Sequence, residues 1–209
     1  MSKLTSLQPQ DSAVSEANIA DNPDAWFERK FEESMQKREA ARTPSMAIVV
    51  TKGTLDWAYP PFILASSASA LGWDVSLFFT FYGLSLLKNE LDLEISPLGN
   101  PAMPMKMPFG PEWLRQMNWN MPNAVMANVP GFENMATSLM KRTMQNKGVA
   151  SIEELRELCL EAEVKMIACQ MTVELFGWNR DDFVPEVEDW VGAASFLPTA
   201  QQADVTLFI

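Results

Sequence analysis

At 209 residues, 47% of them hydrophobic, the chain is long enough to bury one sizeable core with a short extension beside it. Its formal charge of −11 is unevenly placed: residues 1–43 carry net −2, residues 44–148 net zero and residues 149–209 net −9. An acidic segment of that kind repels phosphate backbones and anionic lipid, so nucleic acid is excluded as a partner and a membrane is disfavoured. The absence of histidine removes Ser-His-Asp and Cys-His catalysis and His-ligated metal sites together.

The first segment, residues 1–21, is polar, and Met1–Thr5 lacks the apolar core of a signal peptide. From Asn22 to Arg42 the spacing predicts an amphipathic helix with Trp26, Phe27, Phe31 and Met35 on one face and mixed charges elsewhere. Pro44 ends it. Residues 1–43 therefore read as a polar tail and a charged helix, and residues 44–209 as the folded domain.

Met46–Thr51 is a continuous apolar run of strand length, as expected of a strand buried on both faces. Lys52-Gly53-Thr54 turns the chain into a helix through about Leu71. Pro60 to Leu87 is long, apolar and interrupted by the single charge Asp74, and so resembles a membrane span in hydropathy. Gly72-Trp73-Asp74 divides it into an Ala/Ser-rich helix and an aromatic strand, Val75–Phe81, which favours a buried helix and a buried central strand. Tyr82-Gly83 then leads into a short helix ending near Asn89. Strand, helix and strand in succession point to a parallel sheet covered by helices.

Residues 97–131 break this rhythm with seven prolines and six methionines. The segment reads as an insertion, serving as a pliable apolar lid or a packing surface between subunits. A Cu(I) site of thioethers is the weaker reading, since prolines accompany the methionines throughout, and no metal or cofactor is expected. A helix is predicted again over Phe132–Asn146. Ser151-Ile152-Glu153-Glu154 forms a capping box that opens another. The apolar run Val164–Ala168 follows as a strand, and Thr172–Gly177 as a new helix. An acidic helical stretch, an apolar turn around Trp190–Phe196 and a last strand over Val205–Ile209 complete the domain. Four strands are expected, and a fifth in addition.

Two cysteines are too few for a disulfide framework, and no CxxC pair is present. Cys159, among Glu157, Leu158 and Leu160 on a predicted helix, reads as a small buried hydrophobe. Cys169 is placed differently, at the carboxyl end of a strand and facing a helix start. Ligand sites collect along that edge of a parallel sheet, and a helix N-terminus favours thiolate over thiol. Partial exposure is expected there. Lys52 and Gly53 follow the first strand and Tyr82 and Gly83 the second, so all four belong to the same edge as candidate substrate-binding residues. A lysine would lower a neighbouring thiol's pKa, and a glycine would free backbone amides to hold an anion. The paired acids Glu153/Glu154, Asp181/Asp182 and Glu188/Asp189 read as helix starts and solvated faces.

Together, Ala47–Gly53, the segment Ala70–Gly83 with Phe78-Phe79-Thr80-Phe81-Tyr82-Gly83, Ile167-Ala168-Cys169-Gln170-Met171 and Val205–Ile209 resemble the DsrE/DsrF/DrsH-like family, in its peroxiredoxin-like branch. The resemblance covers roughly residues 46–209. It implies a three-layer α/β/α sandwich with a mainly parallel sheet of four to five strands, a homo-oligomer, and cytoplasmic sulfur trafficking. In that role the strand-end cysteine, here Cys169, carries sulfane sulfur as a persulfide, and the partners implied are TusA-like sulfur carriers and rhodaneses. The Pro/Met-rich segment is longer than the family pattern suggests. A non-enzymatic oligomeric scaffold or thiol redox sensor is the alternative reading. Peroxidase chemistry finds neither a resolving cysteine nor a Thr-x-x-Cys context.

Overall fold

The computed structural model describes residues 23–96, 110–116, 131–187 and 189–209. The chain divides into two units, residues 1–42 and 43–209. In the first, helix α1 (Pro23–Ala41) carries Phe27 and Phe31 stacked at 6.2 Å on an exposed apolar stripe continued by Met35. Lys30 pairs with Glu33 at 2.7 Å on the same helix. The expected polar tail lies outside the described residues. So does most of the Pro/Met-rich segment, of which a short helix, α3 (Glu112–Gln116), is described.

The second unit is built on a five-stranded, wholly parallel sheet in the order β4-β3-β2-β1-β5. Its strands are β1 (Ser45–Val50), β2 (Asp74–Phe79), β3 (Lys165–Cys169), β4 (Asp189–Val191) and β5 (Val205–Phe208). Helices α2 (Leu55–Ala70), α4 (Phe132–Asn146), α5 (Ile152–Glu161), α6 (Gln170–Phe176) and α7 (Ala193–Gln202) connect them, with a 3-10 segment over Phe81–Leu87 after β2. This is an α/β/α sandwich. Among the described residues no helix is long and apolar enough to cross a membrane.

Side chains alternate across the sheet, so the continuous apolar runs are buried on both faces. Ile48, Val50, Leu77, Phe79, Met166 and Ala168 face a large core shared with Phe62 of α2 and Ile152 and Cys159 of α5. Ala47, Phe78, Ile167 and Cys169 face a thinner one, closed by Phe196 of α7, whose ring stacks on Phe78 at 4.6 Å. The Ser151 capping box forms as expected, with the Glu154 carboxylate accepting from the Ser151 amide at 2.7 Å and the Ser151 hydroxyl from the Glu154 amide at 3.2 Å.

Three local expectations change. Strand β2 stops at Phe79, because Phe81 takes a left-handed φ of 47° and turns the chain into the 3-10 segment. The acidic stretch after α6 contributes only a 3-10 turn, Arg180–Asp182, whose Asn179 cap is closed by the Asp182 carboxylate at 2.9 Å. The apolar residues beyond it supply both the fifth strand, β4, and a ten-residue helix, α7, in place of a turn.

Candidate functional site

The register between β2 and β3 builds the site. Phe79 pairs with Ala168, so the next residues along, Thr80 and Cys169, emerge side by side at the carboxyl edge. Cys169 is the residue from which α6 springs, and its backbone is still extended (φ −75°, ψ 104°). Thr172, in the first turn of α6, is buried, and its hydroxyl lies 3.2 Å from that of Thr80. The two hydroxyls thus meet next to Cys169: Thr80 is level with it across the β2–β3 register, and Thr172 is the third residue of the helix that it caps.

Burial of Cys169 favours the neutral thiol, but the hydroxyl and amide of Thr172, the hydroxyl of Thr80 and the amide of Met171 outweigh it, and the pKa lies below its ordinary value. The expected partial exposure does not hold: Cys169 is 2% exposed, because its side chain turns into the thin core beneath α7. Cys159 has the opposite setting. Its thiol donates toward the Phe62 carbonyl at 3.6 Å, and burial pushes its pKa from 9.0 to about 11. The two cysteines project from opposite layers, and both are free thiols.

That shift at Cys159 fixes a pH dependence. Between pH 9 and about 11 the unfolded chain has lost a proton that the folded chain keeps. The stabilising effect is complete below pH 9 and is lost as pH rises through that window. Denaturant titrations at rising pH should show wild-type stability falling more steeply than Cys159→Ser, by on the order of 1 kcal/mol per pH unit. Parallel curves for the two proteins would contradict the assignment. Cys169, with its lowered pKa, contributes with the opposite sign.

The DsrE/DsrF/DrsH-like family pattern matches residues 42–208. The chain belongs to that family. It is 55% identical over 164 residues to the sulfur carrier protein DsrE2 of Allochromatium vinosum, covering 78% of this chain and 97% of that protein. It is 27% identical over 168 residues to the uncharacterized protein YrkE of Bacillus subtilis, covering 80% of this chain and 98% of that one.

In this member of the family the other predicted site residues occupy the same edge in different ways. The Lys52 ammonium rests 3.0 Å above the Trp57 ring, at the start of α2 and two strands from β3. Gly53 and Gly83 interlock. A Cβ on Gly53 would strike the Ser85 hydroxyl and the Tyr82 carbonyl, and one on Gly83 the Val50 carbonyl. Packing of the β1–α2 turn against the 3-10 segment therefore accounts for glycine at both positions. Tyr82 is 70% exposed and lies beside Phe176 of α6, ring centroids 5.9 Å apart. With Phe81, Met171 and Leu175 it forms an exposed apolar border to the two elements that carry Thr80 and Thr172. Among the described residues no group of histidine, cysteine or carboxylate side chains is arranged to hold a metal.

Thr80 and Thr172 are the residues that sequence reasoning missed. Thr80 sits inside Phe78-Phe79-Thr80-Phe81, which reads as unbroken strand, and Thr172 as an ordinary first-turn residue. Only the β2–β3 register joins them.

Proposed function

We propose that the protein is a cytoplasmic sulfur-trafficking protein that carries sulfane sulfur as a persulfide on Cys169. The observation that carries this reading is a thiol of lowered pKa at the carboxyl edge of a parallel sheet, in a chain with extensive identity to a sulfur carrier. Loading needs a thiolate and a sulfur donor, but no histidine base. The thiol first releases its proton to solvent. The thiolate then attacks the terminal sulfur of a donor persulfide, R–S–SH. A new S–S bond forms on Cys169, the donor's S–S bond breaks, and its electron pair leaves on R–S⁻. Delivery is the same exchange in reverse, with Cys169 leaving as the thiolate.

The exposed Phe81, Tyr82, Met171 and Leu175 suit docking by a protein donor or acceptor, a TusA-like carrier or a rhodanese, and a homo-oligomer is the expected assembly. Lys52, Gly53, Tyr82 and Gly83 define the margins of the substrate approach. Because Cys169 is buried, reaction at the sulfur needs a local opening of the cluster that covers it, to which Phe196 of α7 belongs. That same burial favours one alternative, an oligomeric scaffold or redox sensor whose thiol is only slowly oxidised.

Intact-protein mass spectrometry after brief exposure to polysulfide or a persulfidated carrier separates the two. Wild type and Cys159→Ser should gain one or more sulfur atoms, removable by reductant, and Cys169→Ser none. Equal loss in both variants, or no gain in a wild type whose Cys169 can be alkylated, would reject the carrier.

A further inference from the structure

We propose that Thr80 and Thr172 are positioning residues that orient the Cys169 sulfur and set its acidity through a reversible hydroxyl pair. The proposal rests on Cys169 being the loaded thiol. Its geometric basis is the 3.2 Å approach of the two hydroxyls, at which either one can be the donor. A bond between two hydroxyls uses only one of their protons, so the second remains free for a third group. Beside a thiol, that group is S–H and the hydroxyl oxygens accept. Beside a thiolate or a persulfide anion, the free O–H turns and donates to sulfur. Hydroxyl rotation moves no heavy atom, so the same two side chains satisfy neutral and charged states of the site.

The backbone fixes one half of the pair firmly. The Thr80 amide donates to the Val50 carbonyl at 3.0 Å, and the Thr80 carbonyl accepts from the Gly83 amide at 3.0 Å. Gly83 has no space around it, and Phe81, between the two, is held in a left-handed conformation that bulky residues rarely adopt. Thr172 is fixed by its burial in α6, being 1% exposed.

Nearby charge offers little substitute for these donors. The 3-10 segment brings only Tyr82, α6 only Glu174, whose carboxylate accepts from Gln170 at 2.7 Å, and β4 only Asp189, whose partner on β3 is Ile167. Asp74 and Lys165 lie at the opposite ends of β2 and β3, and α7 has no charged residue. Arg180 donates to Gln170 at 3.0 Å and stands over Trp190. A thiolate here depends on neutral donors.

The test is the pH dependence of Cys169 alkylation by iodoacetamide, followed by intact mass, in Thr80→Val, Thr172→Val and Thr172→Ser. Cys159, fully buried and with a raised pKa, stays silent. Both valine variants should move the midpoint upward by about one unit, roughly a tenfold loss of thiolate at neutral pH, with Thr172→Ser close to wild type. Unchanged midpoints in both valine variants, or an equal shift in Thr172→Ser, overturn the proposal. Should Thr172→Val fail to fold, Thr80→Val and Thr172→Ser decide by the same criteria. Sulfur loading of the same proteins separates the two readings. Unchanged midpoints with sulfur still loaded reject the hydroxyl pair alone, whereas threonine-dependent midpoints with no sulfur load reject the carrier alone.

Discussion

Gly83→Ala should destabilise the protein by about 3 kcal/mol, at the upper end of what overpacking costs, because the added methyl meets main chain. Its Cβ would strike the Val50 carbonyl oxygen, with the carbonyl carbon 2.7 Å away and the Thr51 nitrogen at 3.2 Å. A flexible side chain could swing aside, but here the obstacle is the end of β1, held between β2 and β5. The same amide donates to Thr51 at 3.1 Å and to Thr80 at 3.0 Å, so any retreat of Gly83 strains both contacts. Gly148 supplies the control. It has a left-handed φ of 70° and open space around it, so Gly148→Ala carries only the conformational penalty of about 1 kcal/mol. Urea unfolding of the two variants measures the difference, and a smaller loss at position 83 than at 148 would refute the close-packing account. Because Thr80 lies three residues away, Gly83→Ala should also change the alkylation rate of Cys169.

Arg156→Ala should cost a similar amount, about 3 kcal/mol, through a different cause. Arg156 is buried on α5, and its guanidinium donates to the Leu86 carbonyl at 3.1 Å and the Lys88 carbonyl at 2.7 Å. Burial lowers its pKa, while Glu153 and Glu186 act in the opposite direction. These two bonds tie the end of the 3-10 segment to α5. Alanine leaves both carbonyls without their donor and opens a void. Lysine, with a single ammonium on a shorter reach, should recover part of the loss, and leucine, which fills volume but donates nothing, should recover less. Chemical denaturation orders the three. Leucine equal to wild type would show that packing, rather than hydrogen bonding, is what Arg156 contributes.

The parts of the fold that could be read from the sequence are those in which hydrophobicity and strand length coincide. Met46–Val50, Val75–Phe79 and Met166–Ala168 are almost wholly apolar because both faces of the parallel sheet are covered; Ser76 is the one polar residue among them, and it too is buried. Strand β4 escapes this logic, with only three residues, Asp189-Trp190-Val191, at an edge. Helix α7 is obscured by Pro198 in its interior and by an Ala/Ser-rich first turn. At the site, Cys169 is legible from its place between strand and helix. Its burial is not, since Phe196 reaches it from 27 positions further along the chain. The threonine pair is invisible for the same reason: Thr80 and Thr172 are 92 positions apart, and only strand register makes them neighbours.

The pairing of β1 with β5 has a kinetic consequence. Ser45 donates its amide to Asp204 at 2.8 Å across a sequence separation of 159 residues, and the Ile209 carbonyl accepts from the Thr51 amide at 2.8 Å. During synthesis β1 can pair with β2 early, but its other edge stays open until residues 205–209 have left the ribosome. Contacts this distant in sequence slow folding, and an open hydrophobic strand edge invites pairing with other chains. Nascent chains stalled before β5 should therefore be the aggregation-prone species and the ones held by chaperones, and refolding should be limited by the arrival of this strand.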